Sequence, residues 1–366
     1  GGGGTMRADW MLRPGFLYAA LTGSLRFAAH TAPRNLGALR TVADLKVPRF
    51  LLHRDVHVEH QTMETAGGPM HLEWVVPERA LPQQAPGGDA PRRRRLLRFR
   101  RRVAPAERRY RRVMLYMHGG AFTLCTPGSL RGSTFPIARA AGAALCVPQY
   151  RRPPEHSIAQ AVEDGLAAYA HLLEEHPDAE IYLGGDSAGG GLAASMLAAL
   201  RGSSLPFPKA VVLLSPWTDL SGDGAEAGLA HTSASNVSRK DYVTRGKVAF
   251  LAAAARGDLA PDRAPVSPMY AEGSLADLPP IFVVYGKSEV LAGQVERFCD
   301  AWSERGASIE CHGVRGGVHV PVLFHFCHRA SKVALARLRN FLSLEPQPPG
   351  GGASGDGGVG GDGGGL

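Results

Sequence analysis

The pentapeptide Gly185-Asp186-Ser187-Ala188-Gly189 narrows the choice of fold more than any other stretch. An apolar run, Ile181-Tyr182-Leu183, leads into it, and a small-residue, helix-compatible run from Gly190 to Leu200 leads out. The pattern predicts a strand, a sharp turn and a helix, with a serine at the turn. Such a turn forces the serine into a strained backbone conformation and admits only small neighbours, which Gly185 and Gly189 provide. It also lifts the Ser187 hydroxyl clear of a sheet, at a helix start whose N–H groups favour negative charge. A lone G-x-S-x-G is equally an ordinary Gly/Ser turn. What lies on either side decides between the two readings.

Strand-like and helix-like segments alternate along the chain. Asp55–His60 and His71–Val76 alternate apolar and polar residues around Gly67-Gly68-Pro69, which predicts an antiparallel hairpin. Short continuous apolar runs at Val113–Met117, Ala144–Val147, Ala210–Leu214 and Ile281–Tyr285 suit buried parallel strands, and Ile309–His312 reads as a last strand. Helices are expected over Ser133–Ala141, Ile158–Leu173, Gln294–Trp302 and Ala330–Phe341. This predicts an α/β fold, a mostly parallel central sheet covered by helices on both faces. With 366 residues there is ample length for its core.

The net charge of +8 is local. Pro91–Arg112 holds twelve arginines against one acid, Glu107, so this stretch carries +11 and the remainder −3. A basic body that attracts nucleic acid is therefore excluded, and the arginine run reads as a solvated insertion at the sheet edge. The five cysteines, Cys125, Cys146, Cys299, Cys311 and Cys327, are scattered, odd in number and without a C-x-x-C pair. They read as buried reduced thiols, which fits an intracellular, cytoplasmic protein. No apolar run reaches membrane-spanning length. Residues 6–46 are Arg-rich and acid-poor with apolar positions at helical spacing, so a helical flap over a site competes with an organelle-targeting peptide.

A serine hydroxyl needs a base, and the base needs an acid to fix its tautomer. In open α/β sheets these groups stand in loops beyond the carboxyl ends of strands. Glu289, in Gly286-Lys287-Ser288-Glu289, follows the strand ending at Tyr285 and is the only acid between Asp277 and Glu296. Its alternative role is a surface glutamate capping the next helix. His319, in Gly316-Gly317-Val318-His319, follows the next strand, with His312, His325 and His328 as rivals for the base. After the strand ending at Met117, His118-Gly119-Gly120 offers backbone N–H groups to a developing oxyanion, and Ala188 would complete that hole. His118 itself reads as a structural hydrogen-bonder.

The blocks HGGAF (118–122), YRRPPEH (150–156), GDSAGG (185–190), LSPWTDL (214–220), LPPIFVVYGKSEVL (278–291) and GGVHVP (316–321) together resemble the hormone-sensitive-lipase-like carboxylesterases of the α/β-hydrolase fold. The resemblance spans roughly residues 55 to 343. It implies a serine carboxylesterase acting on short- to medium-chain esters, with Ser187 as nucleophile, His319 as base, Glu289 as acid and Gly119, Gly120 and Ala188 as the oxyanion hole. No cofactor or metal is implied. The partner is a small uncharged ester, with a homodimer as a further option and no nucleic acid. The Arg-rich insertion and the glycine-rich ends are not family features and are read from composition alone; joined to the cap that the resemblance implies, they give a glycine-rich disordered extension at 1–5 and an N-terminal helical cap segment at 6–54. An α/β-hydrolase domain follows at 55–345, with the Arg-rich insertion 91–112 and a cap contribution at about 221–265, then a Gly-rich disordered tail at 346–366. Three departures stand out. Glu289 stands where the family more often has Asp, Arg152-Pro153 replaces the usual Leu-Ala, and Ala121 replaces a third glycine. An amidase or aryl-formamidase with the same triad is the alternative activity, and a non-catalytic small-molecule receptor of this fold, as among the gibberellin receptors, is a further one.

Overall fold

A computed structural model describes residues 22, 24, 35–46, 55–81, 110–221 and 241–343. The glycine-rich ends, most of the arginine run and the first half of the 221–265 insertion lie outside the described residues.

The elements are α1 (Leu36–Ala43), β1 (Val56–Thr65), β2 (Gly68–Pro77), β3 (Arg112–Met117), α2 (Arg131–Ala141) and β4 (Ala144–Pro148). They continue with α3 (Ile158–Glu175), β5 (Glu180–Asp186), α4 (Ala188–Leu200), β6 (Val211–Leu214) and α5 (Arg245–Arg256). The chain closes with β7 (Ile281–Gly286), α6 (Ala292–Glu304), β8 (Ile309–Val314) and α7 (Arg329–Ser343). One eight-stranded sheet has the order β1-β2-β4-β3-β5-β6-β7-β8. β2 is antiparallel to both β1 and β4, and every pairing from β4 to β8 is parallel. The fold is that expected from the alternating pattern. The hairpin strands run longer than their alternating cores, because a ten-rung ladder continues from Val56↔Pro77 to the turn at Thr65↔Gly68.

Successive residues of each central strand supply different cores, as strand periodicity requires. Val113, Leu115 and Met117 of β3 pack with Ala168 and Leu172 of α3, Leu192 and Leu197 of α4, and Phe298 of α6. Met114 and Tyr116 pack on the opposite face with Phe135 and Ile137 of α2 and Ala334 and Leu338 of α7. Each such large side chain contributes roughly 1.5–3 kcal/mol relative to exposure, so this two-sided burial dominates what holds the sheet. α4, directly after Ser187, is buried along nearly its whole length.

The sheet order brings the C-terminal ends of β3, β5, β6, β7 and β8 to one edge, the crevice where open α/β sheets place their sites. α1 is tied down beside that edge. Arg40 Nε donates to Thr123 O at 2.7 Å, and its guanidinium reaches Pro153 O and the Glu155 carboxylate. Arg152 pairs with Asp44 at 3.0 Å. The Arg152 departure thus serves as an anchor for the N-terminal segment.

The cysteines differ in part from expectation. Cys146, Cys299 and Cys327 are buried, but Cys125 is half-buried and Cys311 exposed. Cys311 lies between Glu310 and His312 on β8, an edge strand among the described residues, rather than inside an apolar run. No described helix is long and apolar enough to cross a membrane.

Candidate active site

Ser187 sits at φ 53°, ψ −122° between β5 and α4, in the strained turn its sequence requires. Backbone bonds lock the turn: Ser187 N–H donates to Leu214 O at 2.8 Å, and Trp217 N–H donates to Ser187 O at 2.8 Å. A Cβ at Gly189 would lie 2.0 Å from Met117 O, and one at Gly185 would lie 2.4 Å from Gly189 O. The two glycines are therefore dictated by backbone packed against backbone.

His319 Nε2 and Ser187 Oγ are 2.8 Å apart, across 132 residues of sequence. Behind the imidazole, Nδ1 faces Glu289 Oε1 at 3.7 Å. That is beyond a hydrogen bond, yet neither atom has another partner among the described residues. Catalytic contacts commonly tighten only when substrate is bound. Burial works to lower the His319 pKa, but the Glu289 carboxylate, helped by Asp241 and Asp186, outweighs it and holds the pKa above the ordinary histidine value.

Glu289 is fully buried, and its other oxygen is fixed. Oε2 accepts from Gly286 N–H at 2.8 Å and from Ser215 Oγ–H at 2.6 Å. Ser215 Oγ in turn accepts from Val320 N–H at 3.0 Å. One hydroxyl at the end of β6 thus links Glu289 to the loop of His319. A Cβ at Gly286 would lie 2.4 Å from Gly317 O, so the two loops are in direct backbone contact. The helix-capping alternative for Glu289 is set aside by these partners. The rival histidines stand elsewhere. His312 is inside β8, His325 Nδ1 lies 3.0 Å from Val322 O, and His328 Nδ1 lies 2.8 Å from Ser331 Oγ.

A second buried carboxylate, missed in the sequence, completes the arrangement. Asp241 Oδ2 accepts from Val290 N–H at 2.7 Å, and its Oδ1 accepts from His319 N–H at 3.1 Å. It therefore clamps the residue after Glu289 to the backbone of His319. Burial pushes its pKa up to about 6, against the pull of His319. Its neighbour Tyr242 donates from its hydroxyl to His319 O at 3.1 Å. Both precede α5 in the weakly patterned insertion, where no motif marks them. Ser215 carried a signal, a hydroxyl ending the strand beside the elbow.

The donor loop differs from the sequence reading at Gly119. Its N–H donates to Asp186 Oδ1 at 3.1 Å, and Tyr116 Oη–H donates to the same oxygen at 3.0 Å. The Gly119 amide is thereby engaged, leaving Gly120 and Ala188 as N–H groups with no acceptor among the described residues. The two glycines are also required by packing. A Cβ at 119 would lie 2.3 Å from Asp186 Oδ2, and one at 120, where φ is 113°, would lie 2.2 Å from Leu124 O. Burial raises Asp186 to about 6, opposed by these hydrogen bonds. His118 is structural, as expected. Burial lowers its pKa to about 4, its ring stacks on Tyr150 at 4.4 Å, and Tyr150 Oη–H donates to His118 O at 2.8 Å.

A hydroxyl on a strained turn, an imidazole in hydrogen-bond contact and a buried carboxylate behind it can generate a nucleophile at neutral pH. Among the described residues no group of three His, Cys, Asp or Glu side chains is placed to hold a metal ion.

Comparison with known proteins agrees with this chemistry. A family model described as alpha/beta hydrolase fold matches residues 114–323. The acetyl-hydrolase of Streptomyces hygroscopicus is 36% identical over 248 residues, covering 65% of this chain and 78% of that protein. The esterase LipI of Mycobacterium tuberculosis is 30% identical over 212 residues, 57% of this chain and 64% of its own. Among solved structures, an esterase from the bacterial hormone-sensitive lipase family superposes with a TM-score of 0.68 at 29% identity, covering 89% of this chain and 96% of that one.

Proposed function

The chain belongs to the alpha/beta hydrolase fold family, among the esterases similar to hormone-sensitive lipase, and from that premise we propose that Ser187, His319 and Glu289 carry its chemistry. It is a serine carboxylesterase. The observation that carries the residue assignment is the 2.8 Å contact between His319 Nε2 and Ser187 Oγ, with a buried carboxylate behind the ring.

In this reading Ser187 Oγ attacks the ester carbonyl while His319 Nε2 takes its proton. The imidazolium so formed draws Glu289 Oε1 and Nδ1–H together, which supplies the hydrogen bond that the resting geometry holds open. The carbonyl oxygen, now an oxyanion, is received by the N–H groups of Gly120 and Ala188, each such donor being worth about 2.7–4 kcal/mol of barrier. His319 then protonates the leaving alcohol. A water molecule, deprotonated by the same nitrogen, releases the acid from the acyl-enzyme.

We assign short- to medium-chain acyl esters as substrates. The name of one relative, an acetyl-hydrolase, supports small acyl groups. The relatives named esterases favour an ester over an amide bond. A p-nitrophenyl ester series from acetate to laurate, with one matched amide, tests both points. Ser187→Ala should lower kcat by roughly 10⁶ while leaving the circular dichroism spectrum and melting temperature intact. Activity unchanged in that variant would refute the assignment.

A further inference from the structure

Cys299 and Cys311 stand apart from the ester-cleaving machinery, and their placement is specific. Cys299 is buried in the second half of α6, and Cys311 is exposed on β8. Their Sγ atoms are 3.0 Å apart, closer than two sulfur atoms that merely pack together. A disulfide bond is about 2.05 Å long, so bonding requires the two sulfur atoms to approach by roughly 1 Å. We propose that Cys299 and Cys311 form a reversible disulfide site, the exposed thiol meeting the oxidant and the buried thiol resolving it.

The chemistry balances with a small-molecule disulfide such as oxidised glutathione. The Cys311 thiolate attacks one glutathione sulfur, breaking that S–S bond and releasing one glutathione thiolate, which takes up a proton. Cys299 then gives its proton to solvent and attacks Cys311 Sγ, forming the internal bond and releasing the second glutathione. Two protein thiols are oxidised and one glutathione disulfide is reduced to two thiols. The division of labour follows from exposure. The contact with the Cys311 sulfur, and burial after it, push the Cys299 thiol well above the ordinary range, which makes it a poor first attacker, whereas Cys311 is open to solvent.

The bond would join two elements that border the site. α6 starts three residues after Glu289, and β8 ends five residues before His319. β8 is also an edge strand, held by β7 alone on its sheet side. A covalent tie from α6 therefore stabilises the outer strand without touching the contact between His319 and Ser187.

The test uses the full chain incubated with oxidised glutathione, then alkylated and examined by intact mass and peptide mapping. The expected result is a mass loss of two hydrogens relative to the reduced protein and a peptide pair linked through Cys299 and Cys311. Dithiothreitol should reverse both, with a higher melting temperature in the oxidised form and esterase activity within about two-fold. Cys311→Ser should abolish the linked pair and keep its activity, and because residue 311 is exposed this variant keeps the fold. Free alkylation of both cysteines after oxidation would overturn the proposal. So would a glutathione adduct that stays on Cys311 in the wild type without resolving.

Discussion

As the proposed base, His319 works only when neutral, and the surrounding carboxylates hold its proton more tightly than water does. Activity should therefore fall as pH drops through a midpoint above about 6.5, the ordinary histidine value, in a kcat/KM profile. Glu289→Gln removes the largest attraction on that proton, so the acid limb should move to lower pH. The same change removes the partner that fixes the tautomer, and kcat should fall by roughly 10⁴. Asp241→Asn separates positioning from proton transfer. An Asn side chain can accept one of the two amides that Asp241 holds, Val290 N–H or His319 N–H, but must turn its NH₂ toward the other. Loosening the base by that amount should lower kcat by about 10- to 100-fold with KM nearly unchanged. Loss of the nearby charge should also move the acid limb down. A variant that only lost melting temperature, with kcat and the pH midpoint unaltered, would show that Asp241 is structural alone.

At the scale of elements, much was legible because burial writes itself into sequence. β3, β4, β6 and β7 are covered on both faces, so each reads as an unbroken apolar run, and their observed limits differ from those runs by a residue or so. The elbow was legible because backbone-on-backbone contact at Gly185 and Gly189 admits no other residue. What stayed hidden depends on which strands become neighbours. Asp186 reaches Gly119 N–H because β3 lies beside β5, and no local pattern states that order. The Gly-Gly pair at 119–120 looked like clearance for a substrate, whereas part of its cause is clearance for Asp186 and Leu124. Asp241 stayed hidden for a different reason. Its partners are two backbone amides from distant loops, which leave no residue-type signature. The donor loop yields a sharp prediction. Gly120→Ala places a methyl group on Leu124 O and at a φ that alanine resists, so the loop must shift and misaim the amide of residue 120. A loss of 10²- to 10³-fold in kcat is expected, while fluorophosphonate labelling of Ser187, which needs the nucleophile and base, should persist at a reduced rate. Full loss of labelling would place the damage in the elbow instead.

Across the whole molecule, α1 and the sheet body meet through charged contacts. No side chain of α1 is fully buried, and its hold on the body includes Arg40 on Thr123 O, Pro153 O and Glu155, and Asp44 on Arg152. Thr123 directly follows the HGGAF donor loop, and Arg152 also donates to Cys125 O. The same contacts that seat α1 therefore brace the loop proposed to face the substrate. Arg40→Ala removes several hydrogen bonds from one guanidinium, including one to the carbonyl of the buried Thr123. A charge-assisted bond of that kind contributes roughly 1.5–3 kcal/mol, so the melting temperature should drop by several degrees. The kinetic consequence distinguishes two roles for α1. If it is part of a cap that walls the acyl pocket, Arg40→Ala should raise KM for the longer p-nitrophenyl esters more than for the acetate, changing the chain-length profile while kcat for acetate stays within a few-fold. If α1 only stabilises the body, the profile of the variant, measured well below its melting temperature, should superpose on that of the wild type. The position of Arg40 on the carbonyl beside the donor loop favours the first outcome, because loosening it frees the residues that directly follow that loop.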